Sequence, residues 1–344
     1  MSLRTSLLFL SLGVLILLFF VLDVAWGSVS IPLDAVIDAL MGRSEETTYS
    51  YLILHFRLPK AVTALFAGAG IAVAGLQMQS LFRNPLADTS ILGINSGAGV
   101  GVAVYTMASV LFPGLSSLAL GANTWGIIIA SCLGSLTILL VISVVATRVR
   151  DMISVLIIGV MVGFLASSVI SILQFFSSQE MLKTYLIWSF GSVSTTTWRQ
   201  LTFMLPIVSL ALLGSLLMPK QMNALLLGES YARSLGVDLV AVRYLLITIT
   251  SILTGCITAF TGPIAFLGLA VPYLVRLIFR TSDHRVLLPA TMLMGGLLLL
   301  VCDLLTQAPG YQFVLPINAL TSLLGAPVVI LVVLGSRSGH KTFH

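Results

Sequence analysis

Residues 89–147 contain no charged side chain. A water-soluble surface does not run that far without charge. One helix of that length would be about three times the roughly 30 Å hydrocarbon thickness of a bilayer. The stretch reads as two membrane-spanning helices, with the reversal at the turn residues from Phe112-Pro113-Gly114 through Asn123. Residues 244–275 are likewise uncharged, and Gly262-Pro263 supplies a corner there, because proline lacks a donor and glycine frees the backbone. Cutting the other apolar runs at charges, prolines and glycines gives ten spans. They lie near 5–23, 60–80, 91–111, 125–147, 154–176, 198–218, 241–260, 263–279, 285–303 and 317–336.

Composition leaves no room for a separate soluble domain. Of 344 residues, 58% are hydrophobic and 8% charged, against about 25% charged in an average soluble domain. The chain reads as a single all-α polytopic membrane domain over residues 1–344. The run from Leu7 to Leu22 follows Arg4 and precedes Ala25-Trp26-Gly27, the outline of a secretory signal, but it is long for a signal core and is read as a retained first helix.

The net charge of +5 does not point to nucleic acid, because the seventeen Lys and Arg are scattered singly. With the N-terminus inside, Arg4, Arg83, Arg148, Arg150, Lys220, Arg233, Arg243, Arg280, Arg285, Arg337 and Lys341 fall inside. Arg43, Arg57, Lys60, Lys183 and Arg199 fall outside, and Arg276 lies in a helix. The excess of inside cations favours both termini on the cytoplasmic side and an even number of spans. Asp23, Asp34, Asp38, Glu45, Glu46, Glu180 and Asp303 are assigned to the outside. Within the outside segment 28–56, apolar Leu33, Val36, Ile37 and Leu40 with Asp34 and Asp38 predict a short amphipathic helix lying on the membrane. Residues 219–243 form the largest inside polar patch. Gly93, Gly97 and Gly101, and Gly159 and Gly163, recur at the spacing that lets helices approach closely in lipid.

Absences narrow the function. No Asp or Glu lies near the middle of the uncharged spans, which disfavours an ion-coupled secondary transporter. The four lysines, 60, 183, 220 and 341, never follow glycine, so the chain has no phosphate-binding P-loop. His55, His284, His340 and His344, and Cys132, Cys256 and Cys302, have no metal-ligand spacing. No catalytic site, metal or cofactor is expected in this chain.

Five stretches carry more specific information. They are Arg57-Leu58-Pro59-Lys60; Gln79-Ser80-Leu81-Phe82-Arg83-Asn84-Pro85-Leu86-Ala87-Asp88 with Leu92-Gly93 and Ser96-Gly97-Ala98; and Leu225 to Val237. Then come Thr261 to Leu269 with Val271 to Arg276 and Asp283-His284-Arg285, and finally Leu324-Gly325-Ala326-Pro327. In this order the set resembles the FecCD-type permease subunits of type II ABC importers for ferric siderophores, haem and vitamin B12. The chain departs from that pattern at Lys60 and Gln307, where the family usually has arginine, at Tyr273 in place of histidine, and at Val314-Leu315-Pro316-Ile317-Asn318 in place of an acidic turn.

The resemblance implies the type II permease fold, working as a homodimer that forms the translocation path for an iron chelate. It implies two separate ATPase subunits, which hold ATP and Mg, and a periplasmic or lipid-anchored substrate-binding protein. Arg57, Lys60 and Gln307 are the implied docking positions for the binding protein. Asn84, Leu86 and Ser154 are the implied cytoplasmic gate. The segment 219–240, through Leu227, Gly228, Glu229, Ala232, Arg233, Leu235 and Gly236, is the implied coupling element against the ATPase. A vitamin B12 permease of the same family, an ion-coupled carrier and a non-transporting membrane sensor stand as alternatives.

Overall fold

Inside a bilayer the backbone finds no water to bond, so an apolar chain crosses it as helix. The computed structural model of the chain describes residues 3–27, 29, 31–43, 48–89, 93–107, 124–149, 152–307 and 315–338. The expected turn from Phe112 to Asn123, Glu45, Glu46, Leu92, Arg150, Val314, His340, Lys341 and His344 lie outside the described residues. The elements are α1 (Leu3–Ala25), α2 (Leu33–Leu40), α3 (Thr48–Leu52), α4 (Leu58–Phe82), α5 (Ile94–Met107) and α6 (Thr124–Arg148). They continue with α7 (Met152–Phe176), α8 (Gln179–Ser189), α9 (Trp198–Leu216), α10 (Pro219–Leu226) and α11 (Glu229–Ser234). The last four are α12 (Leu239–Thr261), α13 (Leu267–Phe279), α14 (His284–Thr306) and α15 (Ile317–Ser338). Among the described residues there is no β-strand.

Each of the ten expected spans finds a helix. Among the described residues seven helices are long and apolar enough to cross a membrane, with Leu267–Phe279 and Ile317–Ile330 as shorter apolar helices. Local chemistry sets their ends. The Asp238 carboxylate accepts from Val240 N and Ala241 N at 3.0 and 3.1 Å, which starts α12. Thr197 and Gln200 form a capping box at the start of α9. Gly262, at φ 71°, ends α12 in a conformation that favours glycine, and α13 then has only 13 residues. At about 1.5 Å per residue that falls short of a full crossing.

α4 is the centre of the assembly. It packs against α9, α12, α13 and α14, and most of its length is buried. A π-helical segment, Ile53–Arg57, joins it to α3. Small side chains allow this crowding. A Cβ on Gly68 would overlap the Gly295 carbonyl of α14, and a Cβ on Gly134 of α6 would overlap the Gly97 carbonyl of α5. These helix pairs meet backbone on backbone, as the glycine spacing at Gly97 and Gly101 implied.

Two features were not expected. Residues 179–189 form α8, whose Tyr185 is buried in a cluster with Val102 and Met107 of α5. Its polar residues masked the apolar face. The helix α2 does not simply rest on lipid as expected: Val36 and Ala39 are buried in the main core, while Asp34, Ile37 and Asp38 are exposed.

A larger correction concerns Asp23 and Asp303, which sequence reasoning assigned to outside segments. Both lie within helices, at 0% and 1% exposure. Lys60 Nζ is 3.1 Å from Asp23 Oδ1 and 2.8 Å from Asp303 Oδ2, so one ammonium ties α1, α4 and α14 together. Buried carboxylates need such a partner, because desolvation otherwise drives them neutral or out of the protein. Beside them, Arg57 donates from Nη1 to the Val24 and Ala25 carbonyls at 3.1 and 2.7 Å, and from Nη2 to the Val29 carbonyl. It thereby satisfies carbonyls that the end of α1 leaves unpaired.

Lys60→Met is therefore expected to lower stability by about 3–5 kcal/mol, the usual effect of removing one partner from a buried ion pair. The triple variant Asp23→Asn, Lys60→Met, Asp303→Asn should recover most of the loss. Thermal midpoints of the detergent-purified variants check this. An unchanged midpoint in Lys60→Met would show that the ion cluster contributes nothing.

Candidate functional site

The two ends of α4 carry different chemistry. At its C-terminal end the helix stops at Arg83, which adopts a left-handed conformation with φ 48°. The loop that follows holds two gate candidates. Asn84 Oδ1 accepts from Leu86 N at 2.9 Å and fixes a tight turn, and the Leu86 side chain is half-exposed. Asn84 borders a cavity of about 330 Å³ lined also by Gln79, Arg83, Leu226, Arg276 and His284. Leu86 and Ser154 are not among its lining residues. Ser154 lies in the first turn of α7, partly buried.

A polar relay runs along this cavity. Asn223, on α10, accepts at Oδ1 from the His284 backbone N–H at 2.9 Å and donates from Nδ2 to Asp283 Oδ1 at 2.6 Å. The backbone donor fixes that oxygen as an acceptor. His284 Nδ1, 2.7 Å from it, must therefore carry a proton. On the far side of the ring, Nε2 is 2.7 Å from Ser80 Oγ of α4. One amide and one imidazole thus connect α10 to α14 and to α4. A parallel link runs from Arg276 Nη1 to Gln79 Oε1 at 2.6 Å, while Gln79 Nε2 donates to the Gly268 and Leu269 carbonyls. Asp283 caps α14, accepting from Arg285 N at 3.0 Å. That backbone N–H, and then the Asn223 amide, hold its carboxyl below the usual carboxylate range. The sign follows: the stabilisation is present above the ordinary carboxylate range and is lost as pH falls through the lowered value.

The coupling segment divides into anchors and projections. Met222 of α10 and Ala232 of α11 are fully buried. Leu227, Tyr231 and Leu235 are 64%, 51% and 58% exposed, a row of apolar groups pointing off the protein. Gly228 and Gly236, at φ 103° and 78°, bound α11 where an L side chain would be strained. Arg233 is exposed. Glu229 begins α11, and its side chain lies outside the described residues. Of the sequence candidates, Leu227, Arg233 and Leu235 project, whereas Ala232 anchors.

At the other end of α4, the three docking candidates part company. Lys60, 3% exposed, points at two carboxylates, and Arg57, 9% exposed, spends its guanidinium on backbone carbonyls, which corrects the expectation that both face outward. Arg57 and Gln307 come together around Gly27, where an added Cβ would lie 3.0 Å from Arg57 Nη2 and 3.2 Å from Gln307 Oε1. The Gln307 carbonyl accepts from Trp26 Nε1 at 3.0 Å. Sequence reasoning missed Asn223 altogether. Nothing in its surroundings marks one asparagine within a polar loop, and only the fold brings it to Asp283-His284.

A family model, the FecCD transport family, matches residues 15–335. The chain belongs to the FecCD transport family. Several permeases match most of its length. It is 35% identical over 328 residues to the vitamin B12 import system permease protein BtuC of Shigella boydii, covering 95% of each chain. It is 32% identical to the hemin transport system permease protein HmuU of Yersinia pestis, covering 95% of this chain and 96% of that one. It is 31% identical to the uncharacterized ABC transporter permease protein YvrB of Bacillus subtilis, covering 94% and 92%. Among solved structures, a chain described as a metal-chelate type ABC transporter in an inward-facing conformation superposes with a TM-score of 0.82 at 29% identity, covering 96% of this chain and 99% of that one. The chain is thus a multi-pass membrane permease subunit of an ABC importer, and ATP hydrolysis belongs to a separate subunit.

For this FecCD permease, Asn223→Ala should leave the His284 ring and the Asp283 carboxylate without their shared partner. The expected loss is about 1–3 kcal/mol. Amide hydrogen exchange at the start of α14 should accelerate, while exchange in α6 stays as in the parent. Equal protection of α14 in both proteins would mean that the relay bears no stress.

Proposed function

We propose that the chain works as a homodimer whose two copies enclose the translocation path of an ATP-driven importer for iron chelates, siderophore or haem. Two ATPase subunits, holding ATP and Mg, would bind at residues 219–240. A periplasmic or lipid-anchored binding protein would deliver cargo at the Arg57–Gln307 end, and both termini would lie in the cytoplasm.

One observation carries this reading. α10 and α11 present Leu227, Tyr231 and Leu235 to the exterior, while Asn223 on the inner face of α10 is bonded to α14, whose His284 meets Ser80 of α4. A push on the projecting row is thus delivered to α4, the helix at the centre of the packing. The Asn84–Leu86 turn directly follows that helix and is the gate in this reading. The docking role falls to Gln307, which is partly exposed, with Arg57 and Lys60, both buried, holding its platform from beneath. The transported molecule is the less constrained part. The hemin permease relative and the metal-chelate neighbour favour an iron chelate. The BtuC relatives, at 35% identity, favour vitamin B12 as the second reading.

Proteoliposomes containing this chain, its cognate ATPase and binding protein should accumulate ferric siderophore or haem only with ATP and Mg. Accumulation of cobalamin alone would establish the second reading. Uptake by this chain without nucleotide would overturn both. Leu227→Asp with Leu235→Asp should leave the permease folded and lower ATPase retention on co-purification by at least about tenfold, since two apolar contacts of about 1 kcal/mol or more each would be lost.

A further inference from the structure

Away from both ends of α4, helices α6, α9 and α12 leave a groove between them. Its cavity is about 420 Å³ and its walls are almost wholly apolar, with Ile129, Leu133, Phe203, Ile207 and Ile252 in the lining. Ile129, Leu133 and Phe203 are each more than half-exposed. The groove therefore opens sideways, toward the surroundings of the helices rather than toward the relay. Its lining follows α6 from Trp125 to Leu139, about 21 Å at 1.5 Å per residue. The long axis thus runs with the spans, over much of the roughly 30 Å hydrocarbon thickness.

One end of the groove is marked by charge. Trp125 lines it and packs edge-on against Phe203, with ring centroids 5.5 Å apart. The guanidinium of Arg199, exposed at the start of α9, lies 5.4 Å from the centre of the Trp125 ring. No carboxylate pairs with Arg199 among the described residues. Tryptophan at a helix end is characteristic of the headgroup level. An arginine stacked on an aromatic face still presents its planar N–H edge to an acceptor with two oxygens.

We propose that this groove is a binding site for one anionic phospholipid, with its phosphate on Arg199 and an acyl chain laid along α6 beside Ile129 and Leu133. The occupant is an amphiphile, because an apolar groove about 21 Å long ends at a cation that has no carboxylate partner among the described residues. It is anionic, because that cation keeps a free donor edge beside the Trp125 ring and has no carboxylate partner among the described residues. A second copy of the chain is less suitable, since it would have to present a carboxylate at the headgroup level and an apolar ridge directly below it. The inference needs only the membrane setting and not the ATPase pairing of the preceding section, so either can fail without the other.

Native mass spectrometry of the delipidated full-length chain, titrated with phosphatidylglycerol and with phosphatidylcholine of the same acyl composition, tests the assignment. The parent should retain phosphatidylglycerol in about tenfold preference, the equivalent of one charge-assisted contact. Arg199→Gln, a surface change, should erase the preference while leaving the fold intact. Leu133→Trp should reduce retention of both lipids by filling the groove. Equal binding of the two lipids to the parent, or a preference that survives Arg199→Gln, would overturn the proposal. So would loss of a dimer mass in Leu133→Trp without any change in bound lipid, which would identify the occupant as a second copy.

Discussion

A charged group can stay in the interior of this protein only where an opposite charge or a set of hydrogen bonds answers it. Lys60 is the clearest case. Its ammonium faces Asp23 and Asp303 where the start of α4 meets the ends of α1 and α14. Bare carboxylates in that setting would be strongly destabilising, so the positions of α1, α4 and α14 at that end are fixed relative to one another by the geometry of one side chain. Arg57 adds to this by binding the carbonyls at the end of α1. The first helix is in this way built into the fold by polar bonds, and not merely placed beside it by hydrophobicity.

From that fixed end, α4 runs as a rod to the relay at Ser80 and Gln79. The two ends are therefore not symmetrical. One is locked by ion pairing, which is expensive to break without water. The other is joined by single neutral or charge-assisted bonds through Asn223, His284 and Arg276. The individual net worth of such bonds is modest. A transporter needs this contrast, since some part must hold while another part moves.

The legibility of the sequence follows the same physics. Span positions were readable because lipid enforces long apolar runs, so α6, α7, α9, α12 and α14 fall within a few residues of where charges and prolines place them. The corner at Gly262 was readable from glycine and proline alone. Partnerships were not. Asp303 lies far along the chain from Lys60, and no local pattern tells a buried acid at a helix end from an exposed one in the adjoining loop. Asn223 gave no signal because its importance comes entirely from the arrival of Asp283 and His284 beside it. α8 was hidden for the opposite reason: its charges suggest a loop, and only the packing of Tyr185 on α5 reveals its role.

The bare contacts between Gly68 and Gly295, and between Gly97 and Gly134, have a thermodynamic corollary. Helices that touch through their backbones are held by dispersion and close fit, and separating them within lipid exposes little new surface to water. The large positive heat-capacity change of unfolding in soluble domains comes from just such newly hydrated apolar surface. Helix separation here lacks that source. The stability of the bundle should accordingly vary almost linearly with temperature, without the pronounced dome and low-temperature decline that a water-exposed core imposes.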